Sequence, residues 1–321
     1  MDIVVQKYGG TSVANKEKLE LVIEKILASI KENNKVVVVV SAQGKTTDGL
    51  IKLAKEYTSN TYNKEMDLLL STGEIQTVAL LTMMLKDKGY DAIGLTGGQA
   101  GIITDTNFSN AKIKMVMSEN ITRHLENGKI VIIAGFQGID KFGNITTLGR
   151  GGSDLSAVAI AASLKAQKCE IYTDVDGVFS ADPNIIQSAK KISNISYDEM
   201  LEAATAGAKV LHNRAVSLAK KYKLKLKVKN TRGENIGTEV INNVNEKTKV
   251  KILAIQKDLA KITIVGSNLY SNTNYLYNIY EIAKNESIQI YMLSVSEVSI
   301  NLIVKQSEVE TMLNLLHDKL Q

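Results

Sequence analysis

The chain has 321 residues, more than a single hydrophobic core usually organises, and this length favours two domains. Hydrophobic residues make up 44%, an ordinary share for a globular protein, and no apolar run approaches the roughly 20 residues needed to span a bilayer. The net charge of +5 is too mild to indicate nucleic-acid binding, and the one cysteine, Cys169, excludes an intrachain disulfide framework and favours a cytoplasmic protein.

Strands and helices alternate along the first half of the chain. Residues 3–7 predict a strand, so we expect no signal peptide before the fold, and the five valines at 36–40 predict a strand buried on both faces. Periodicity predicts further helices at 16–30, 64–88, 112–126 and 154–164, strands at 92–95, 130–134 and 170–173, and a hairpin around 141–144. This order predicts an α/β fold with an open, mostly parallel sheet between helices.

The second half of the chain contains a change of pattern. Lysines alternate with apolar residues at 223–229, which predicts a strand with one solvent-exposed face. We interpret it as an edge strand of the sheet, which the lysines protect against pairing with other strands. A polar stretch then predicts a first domain at 1–240, a linker at 241–250 and a second domain at 251–321. The second domain reads strand–helix–strand–strand–helix, which predicts a small α+β unit.

Four glycine-rich turns follow predicted strands, at residues 9–10, 44–47, 97–99 and 149–154. Ligands of open α/β sheets bind at the carboxyl ends of the strands, where glycines let backbone N–H groups approach phosphate oxygens. Lys7, Lys45 and Arg150 lie beside these turns and favour a phosphate site over a set of mere tight connections. No Walker sequence and no GxGxxG turn is present, so the predicted site belongs to neither a P-loop nor a dinucleotide fold.

Nine sequence blocks resemble those of the aspartate kinases and occur in the family's order across nearly all of residues 1–240. They are 7–14 (KYGGTSVA), 41–48 (SAQGKTTD), 71–74 (STGE), 95–101 (LTGGQAG), 134–138 (AGFQG), 147–154 (TLGRGGSD), 173–178 (TDVDGV), 181–183 (ADP) and 207–212 (GAKVLH). The resemblance implies the amino-acid kinase fold and an enzyme that uses ATP and Mg²⁺ to phosphorylate the side-chain carboxylate of L-aspartate. Such an enzyme would make 4-phospho-L-aspartate, in the first step towards lysine, threonine and methionine.

The resemblance also implies roles for individual residues. Lys7 and Asp154 would be catalytic. The residues that would bind aspartate are Ser41, Thr47, Glu74, Arg150 and Ser153. The residues that would bind the nucleotide are Lys7, Gly9, Gly10, Ser12, Thr173, Asp174, Phe179, Asp182 and Lys209. Mg²⁺ would be held through the ATP phosphates, and no protein ligand for a metal is expected.

Elementary chemistry agrees with these roles. The nucleophile is the carboxylate of the substrate, which is ionised at neutral pH because its pKa is about 3.9, so no general base is required. Lys7 would then stabilise the charge on the transferring phosphoryl group. Arg150 would bind a carboxylate through two hydrogen bonds from its planar guanidinium group, and Glu74 would accept a hydrogen bond from the substrate ammonium.

Several positions depart from the family pattern, and two other functions stay open. Phe179 stands where tyrosine is common, and Asn184 stands where an arginine usually follows the Asp-Pro pair. An enzyme of the same fold could instead phosphorylate acetylglutamate, glutamate, carbamate or a nucleoside monophosphate. A regulatory subunit without activity is the third possibility, and the presence of Lys7, Glu74 and Arg150 disfavours it.

Residues 251–321 resemble a single ACT regulatory unit, where the family usually has two, one inserted in the other. Residues 251–258 resemble the strand before the insertion, and residues 259–319 resemble the later unit. The turn at 267–274 lacks the usual Pro-Gly pair of the effector site. We therefore expect weak or no feedback inhibition by lysine or threonine, and a homodimer held through this ACT-like unit, since a lone unit leaves a sheet edge to cover.

Overall fold

The computed structural model describes residues 1–59, 63–208, 210–233, 236–242, 250–267, 269 and 273–320. The chain forms two compact units, Met1–Ala254 and Ile255–Gln321, here called the N-terminal unit and the C-terminal unit.

The N-terminal unit alternates strands with helices. Its strands are β1 (Ile3–Tyr8), β2 (Lys35–Val40), β3 (Ala92–Leu95), β4 (Ile102–Thr104), β5 (Ile113–Val116), β6 (Ile130–Ala134), β7 (Gln137–Ile139), β8 (Ile145–Thr147), β9 (Lys168–Thr173), β10 (Val178–Phe179), β11 (Lys191–Ile192), β12 (Asn194–Ser196), β13 (Leu226–Asn230) and β14 (Thr238–Ile241). Its helices are α1 (Lys16–Lys31), α2 (Thr46–Tyr57), α3 (Lys64–Asp87), α4 (Glu119–Glu126), α5 (Gly152–Ser163), α6 (Tyr197–Thr205) and α7 (Asn213–Tyr222).

An eight-stranded sheet forms the centre of this unit, in the order β12-β14-β13-β9-β1-β2-β6-β3. Every neighbouring pair in it is parallel except β13 and β14. The valines of β2 are buried on both faces. Val36, Val38 and Val40 pack under α1 and α3, while Val37 and Val39 pack against α5. The predicted open, mostly parallel sheet with helices on both faces is confirmed. A smaller sheet, β5-β4-β7-β8, lies beside it.

Helix α3 is the one described helix that is long and apolar enough to cross a membrane, with a mean hydropathy of 1.5 over its best window. It contacts β3, β6 and β8 and buries two carboxylates, Asp67 and Glu74. Buried carboxylates inside a packed unit are typical of a core helix of a globular domain. We therefore interpret α3 as a core helix of the N-terminal unit.

Two local predictions were wrong. Residues 112–126 do not form one helix, because residues 113–116 form β5, which pairs with β4, and the helix begins only at Glu119. The lysine-rich strand β13 is not at the sheet edge, because β9 and β14 flank it. Its lysines therefore do not protect an exposed sheet edge. Lys229 lies 3.2 Å from Glu170 and Lys227 lies 3.2 Å from Glu239, both on neighbouring strands.

The C-terminal unit is a small α+β structure. Its elements are β15 (Leu259–Val265), α8 (Thr273–Asn285), β16 (Met292–Val295), β17 (Ser299–Lys305) and α9 (Val309–Leu320). The strands form an antiparallel sheet in the order β15-β17-β16, and Ile262, Ile300 and Leu302 pack on one face against Ile279 of α8 and Met312 of α9. The predicted element order is confirmed.

The strand expected before the insertion is absent, because residues 251–257 are irregular. Lys251 instead pairs with Glu199 at 3.1 Å, and the Leu253 N–H donates to Ser180 O at 2.8 Å. The turn at 267–274 that concerns the effector site lies largely outside the described residues.

Candidate active site

A buried ion pair lies at the centre of the large sheet. Lys7 comes at the end of β1, between Val39 of β2 and Ile171 of β9. Its Nζ lies 2.7 Å from Oδ1 of Asp154, and each of the two side chains is only 12% exposed. Asp154 belongs to the first turn of α5, where the helix dipole favours an anion. The lysine charge is thus held firmly at the carboxyl ends of the strands.

The first two glycine turns form one backbone surface beside this lysine. Gly44 N donates to Gly10 O at 3.0 Å, and a Cβ on Gly10 would lie 2.9 Å from Ala42 O. A Cβ on Gly9 would lie 3.4 Å from the Lys7 ammonium. A side chain at Gly10 would meet the backbone of the second turn, so Gly10 allows the two turns to pack closely. A side chain at Gly9 would fill the space next to the ammonium, so this glycine leaves a backbone cradle beside a positive charge. Such a cradle fits the phosphates of a nucleotide.

The fourth turn also reaches the ion pair, because it leads into α5. Gly151 immediately precedes this helix with a φ of 71°, and a Cβ there would lie 2.2 Å from Cγ of His212. The third turn does not join the others. A Cβ on Gly97 would lie 2.1 Å from Gln137 O of β7, so that glycine serves close packing. The structure therefore brings three of the four turns together.

Glu74 is a buried carboxylate with one oxygen left to satisfy. Its side chain is 3% exposed; Oε1 accepts from Ala42 N at 3.0 Å, and Oε2 has no hydrogen-bond partner. Burial raises the pKa of Glu74 to about 7, although the Ala42 N–H acts in the opposite direction. Because Ala42 follows Ser41 at the end of β2, the structure brings Ser41 and Glu74 together. The unpaired oxygen calls for a cationic or N–H donor.

The other predicted aspartate residues occupy the surrounding elements. Thr47 lies in the first turn of α2. A Cβ on Gly73 of α3 would lie 3.4 Å from Cγ2 of Thr46, so that turn packs against α3. Ser153 is 8% exposed, and Cβ of Ser153 lies 2.9 Å from where a Cβ on Gly135 would be. Arg150 is exposed in the turn before α5, free to meet a carboxylate from solvent.

The predicted nucleotide residues group around the end of β9. Thr231 connects two of them: its N–H donates to Thr173 O at 3.1 Å and its hydroxyl donates to Ser12 Oγ at 2.7 Å. Thr173 in turn donates to Oδ1 of Asp174 at 3.0 Å.

Phe179 and Asp182 belong to the neighbouring hairpin. Phe179 lies in β10, opposite Lys191 of β11. Asp182 closes the following turn by accepting from Asn184 N at 2.9 Å. Lys209 lies outside the described residues.

Two further residues near the site, Thr231 and His212, make contacts to which the sequence analysis assigned no role. Thr231 stands in a polar stretch that looks like any loop, so its bridging position required the fold. His212 begins α7, with Nδ1 accepting from Arg214 N at 3.4 Å, and it packs over Gly151. Burial lowers the pKa of His212, which makes the neutral ring the form present at pH 7.

Comparison with known families shows two matches that together cover most of the chain. The amino acid kinase family matches residues 2–230, and an ACT domain matches residues 254–318. The solved structure of E. coli aspartokinase III in complex with aspartate and ADP is similar to this chain, with a TM-score of 0.79 and 25% identity. That similarity covers 95% of this chain and 79% of the E. coli chain.

Curated relatives carry the same name. An aspartokinase of Geobacillus stearothermophilus is 39% identical over 394 positions, which cover 99% of this chain and 97% of the relative. An aspartokinase of Bacillus sp. (strain MGA3) is 50% identical over 268 residues, which cover 83% of this chain and 65% of the relative. Since 99% of 321 residues is about 318, about 76 of the 394 positions in the Geobacillus alignment fall opposite no residue of this chain.

Proposed function

This chain belongs to the aspartokinases of the amino acid kinase family, and from that premise we propose that it transfers the γ-phosphoryl group of MgATP to the side-chain carboxylate of L-aspartate. The product would be 4-phospho-L-aspartate. The observation that carries the proposal is the Lys7–Asp154 pair beside the glycine cradle, with the unpaired oxygen of Glu74 held at the neighbouring end of β2 through Ala42 N.

Lys7 would act on the charge of the transferring group. Its ammonium is fixed at 2.7 Å from Asp154 and faces the glycine turns, so it needs little reorganisation when charge moves on to the phosphoryl oxygens. Asp154 would orient the ammonium and compensate its burial. Because the substrate carboxylate is already ionised, the reaction needs positioning and charge stabilisation without a proton acceptor.

Glu74 and Arg150 would bind the two ends of the amino-acid part of the substrate. The free Oε2 of Glu74 would accept from the α-ammonium, and the exposed guanidinium of Arg150 would donate to the α-carboxylate. Ser41, Thr47 and Ser153 would add hydroxyl contacts between these ends.

The nucleotide would lie across the glycine cradle and the end of β9. Gly9, Gly10 and Ser12 would hold its phosphates, and Thr173, Asp174, Phe179 and Asp182 would line the rest of its site. Among the described residues no group of three or more His, Cys, Asp or Glu side chains could hold a metal ion. A Mg²⁺ bound mainly by phosphates and water matches the usual chemistry of that ion and would neutralise phosphate charge.

The test is a coupled measurement of ADP release. We expect release to require L-aspartate and Mg²⁺ together, and to fall strongly in Glu74→Gln through a higher KM for aspartate. ADP release that L-aspartate does not stimulate would contradict the proposal, and no ADP release with any acceptor would favour a subunit that only binds ligands.

We propose further that two chains pair through the C-terminal unit. Within its described residues β15 pairs with β17 alone, so its other edge presents backbone groups to solvent, and Val265 on this strand is 79% exposed. Two such edges could join to form a continuous sheet. Light scattering should then give twice the chain mass, and Val265→Lys should shift the mass towards the monomer.

We place the reaction in the cytoplasm, at the start of lysine, threonine and methionine synthesis. The single cysteine, Cys169, is buried as a free thiol, as expected in a reducing compartment. Growth of an aspartokinase-deficient bacterium on minimal medium, restored by this chain, would support the pathway assignment.

A further inference from the structure

Asp67 is a completely buried carboxylate that accepts hydrogen bonds from four donor groups on two residues outside its own helix. It lies in the first turn of α3. Thr147 donates to it from N at 2.6 Å and from Oγ1 at 2.8 Å. Ser109 donates to it from N at 2.9 Å and from Oγ at 3.3 Å. A buried carboxylate is retained only where donors compensate its charge, and these do so.

The two residues that Asp67 holds, Ser109 in a loop and Thr147 at the end of β8, belong to segments that also touch each other. Ala111 N donates to Thr147 O at 2.8 Å, and a Cβ on Gly149 would lie 3.1 Å from Ser109 O. Ser109 has a φ of 65°, which a residue with a side chain rarely adopts. The bonds to Asp67 therefore fix a strained loop against the strand end of β8.

The elements joined in this way are those that carry the proposed aspartate contacts. Glu74 lies seven residues after Asp67 on α3, on the same side of the helix. Arg150 lies three residues after Thr147. One carboxylate thus connects the helix that carries Glu74 to the turn that carries Arg150.

We propose that Asp67 is a positioning residue that sets the distance between Glu74 and Arg150, and so the affinity of the enzyme for aspartate. The inference rests on the proposed function, because it takes Glu74 and Arg150 as the two ends of the aspartate site. Since both contacts are needed at once, a small displacement of either element weakens binding strongly. None of the described hydrogen bonds of Asp67 reaches the end of β9, so we expect the nucleotide site to change less than the aspartate site.

The principal test is Asp67→Asn. The amide keeps the size of the side chain but turns one acceptor into a donor that faces N–H and O–H groups. We expect the KM for aspartate and the calorimetric Kd for aspartate to rise about tenfold to a hundredfold, since about 1.4 kcal/mol of lost binding corresponds to each factor of ten. The KM for ATP should stay within about twofold.

A milder pair of variants keeps the test valid if Asp67→Asn does not fold. Thr147→Val removes the hydroxyl donor and keeps the shape, while Thr147→Ser keeps the donor and removes the methyl group. We expect the valine variant to raise the KM for aspartate several times more than the serine variant.

Glu170→Gln is the matched control for a purely structural effect. Glu170 is 2% exposed and accepts from Gln6 and Tyr172 on the sheet face opposite Lys7. This control should lower the melting temperature and leave the KM for aspartate unchanged. The proposal is overturned if Asp67→Asn loses stability but keeps its KM for aspartate, or if the KM for ATP rises equally. A wild-type enzyme that does not turn over aspartate would instead overturn the proposed function.

Discussion

The affinity for aspartate should fall steeply as pH drops through 7. Burial raises the pKa of Glu74 from its ordinary value of 4.5 to about 7, so the free protein holds this group half protonated near neutrality. Only the carboxylate form can accept from the substrate ammonium. Protonation therefore competes with aspartate for Glu74, and lowering the pH removes the binding-competent form.

The magnitude follows from the pKa. With a pKa of about 7, the protonated fraction is about 10% at pH 8 and about 90% at pH 6. If aspartate binds only the ionised form, its apparent Kd rises about tenfold between these two values, which corresponds to about 1.4 kcal/mol. The carboxyl groups of aspartate itself have pKa values of about 4 or below and stay ionised across this interval.

Calorimetry in the absence of nucleotide is the suitable assay, because the phosphates of ATP titrate in the same range. At pH 6 each bound aspartate should release about one proton from Glu74. The measured heat should therefore change with the ionisation enthalpy of the buffer. At pH 8.5 this buffer dependence should nearly vanish.

Glu74→Gln is the control, since glutamine stays neutral and is close to glutamate in size. The variant should bind aspartate weakly and with no pH dependence between 6 and 8. His212, whose pKa burial lowers, is the nearest other candidate for a titrating group. A tenfold change in Kd that persists in Glu74→Gln would refute the assignment to Glu74, and a Kd independent of pH in the wild type would refute the role of its charge.

Four further outcomes are expected. Lys7→Ala should lower kcat by ~10²–10³ with little change in ATP affinity, since losing one such donor typically costs that much, and near-normal turnover would remove Lys7 from catalysis. Arg150→Lys should raise the KM for aspartate strongly and leave the KM for ATP unchanged, because lysine cannot make the two parallel hydrogen bonds of a guanidinium group. The reverse pattern would show that Arg150 binds the nucleotide. Glu74→Gln should raise the free energy of unfolding at pH 8 by up to about 3 kcal/mol. A carboxyl group with a raised pKa stabilises the fold below pH 4.5 and loses that contribution as the pH rises through 7, whereas glutamine stays neutral. Equal melting temperatures of the variant and the wild type at pH 8 would contradict this expectation. Lysine and threonine, titrated separately in the kinase assay, should inhibit weakly or not at all, and strong inhibition would show an intact effector site.

The large sheet was predictable because its strands carry unambiguous apolar runs. The valines of β2 and the residues of β6 are buried on both faces, and a run of this kind has few other structural solutions. The element order of the C-terminal unit was predictable for a related reason, since the strand β17 alternates buried and less buried residues along its length.

Partners from distant parts of the chain explain the wrong predictions. The lysines of β13 look solvated in sequence, but Glu170 and Glu239 on adjacent strands neutralise them. Residues 112–117 have apolar positions that suit a helix, yet pairing with β4 made residues 113–116 a strand. Local periodicity contains no information about either partner.

The sequence motifs indicated candidate site residues, whose roles stay a prediction, but they did not indicate the residues that support them. Lys7 and Asp154 came from motifs, and the structure places them 2.7 Å apart. Asp67 looks like an ordinary acid in the first turn of a helix, and Thr231 looks like a loop residue. Their positions become visible only when the fold brings together segments 80 and 219 residues apart.

Trapping of the acyl phosphate with hydroxylamine tests the central claim most directly. The purified chain, MgATP and one acceptor at a time are incubated with hydroxylamine, and the hydroxamate is measured for L-aspartate, L-glutamate and acetylglutamate. We predict that L-aspartate gives hydroxamate at a rate far above the other two, and that Lys7→Ala abolishes most of it. Hydroxamate from acetylglutamate or glutamate in place of aspartate would contradict the assignment of the acceptor.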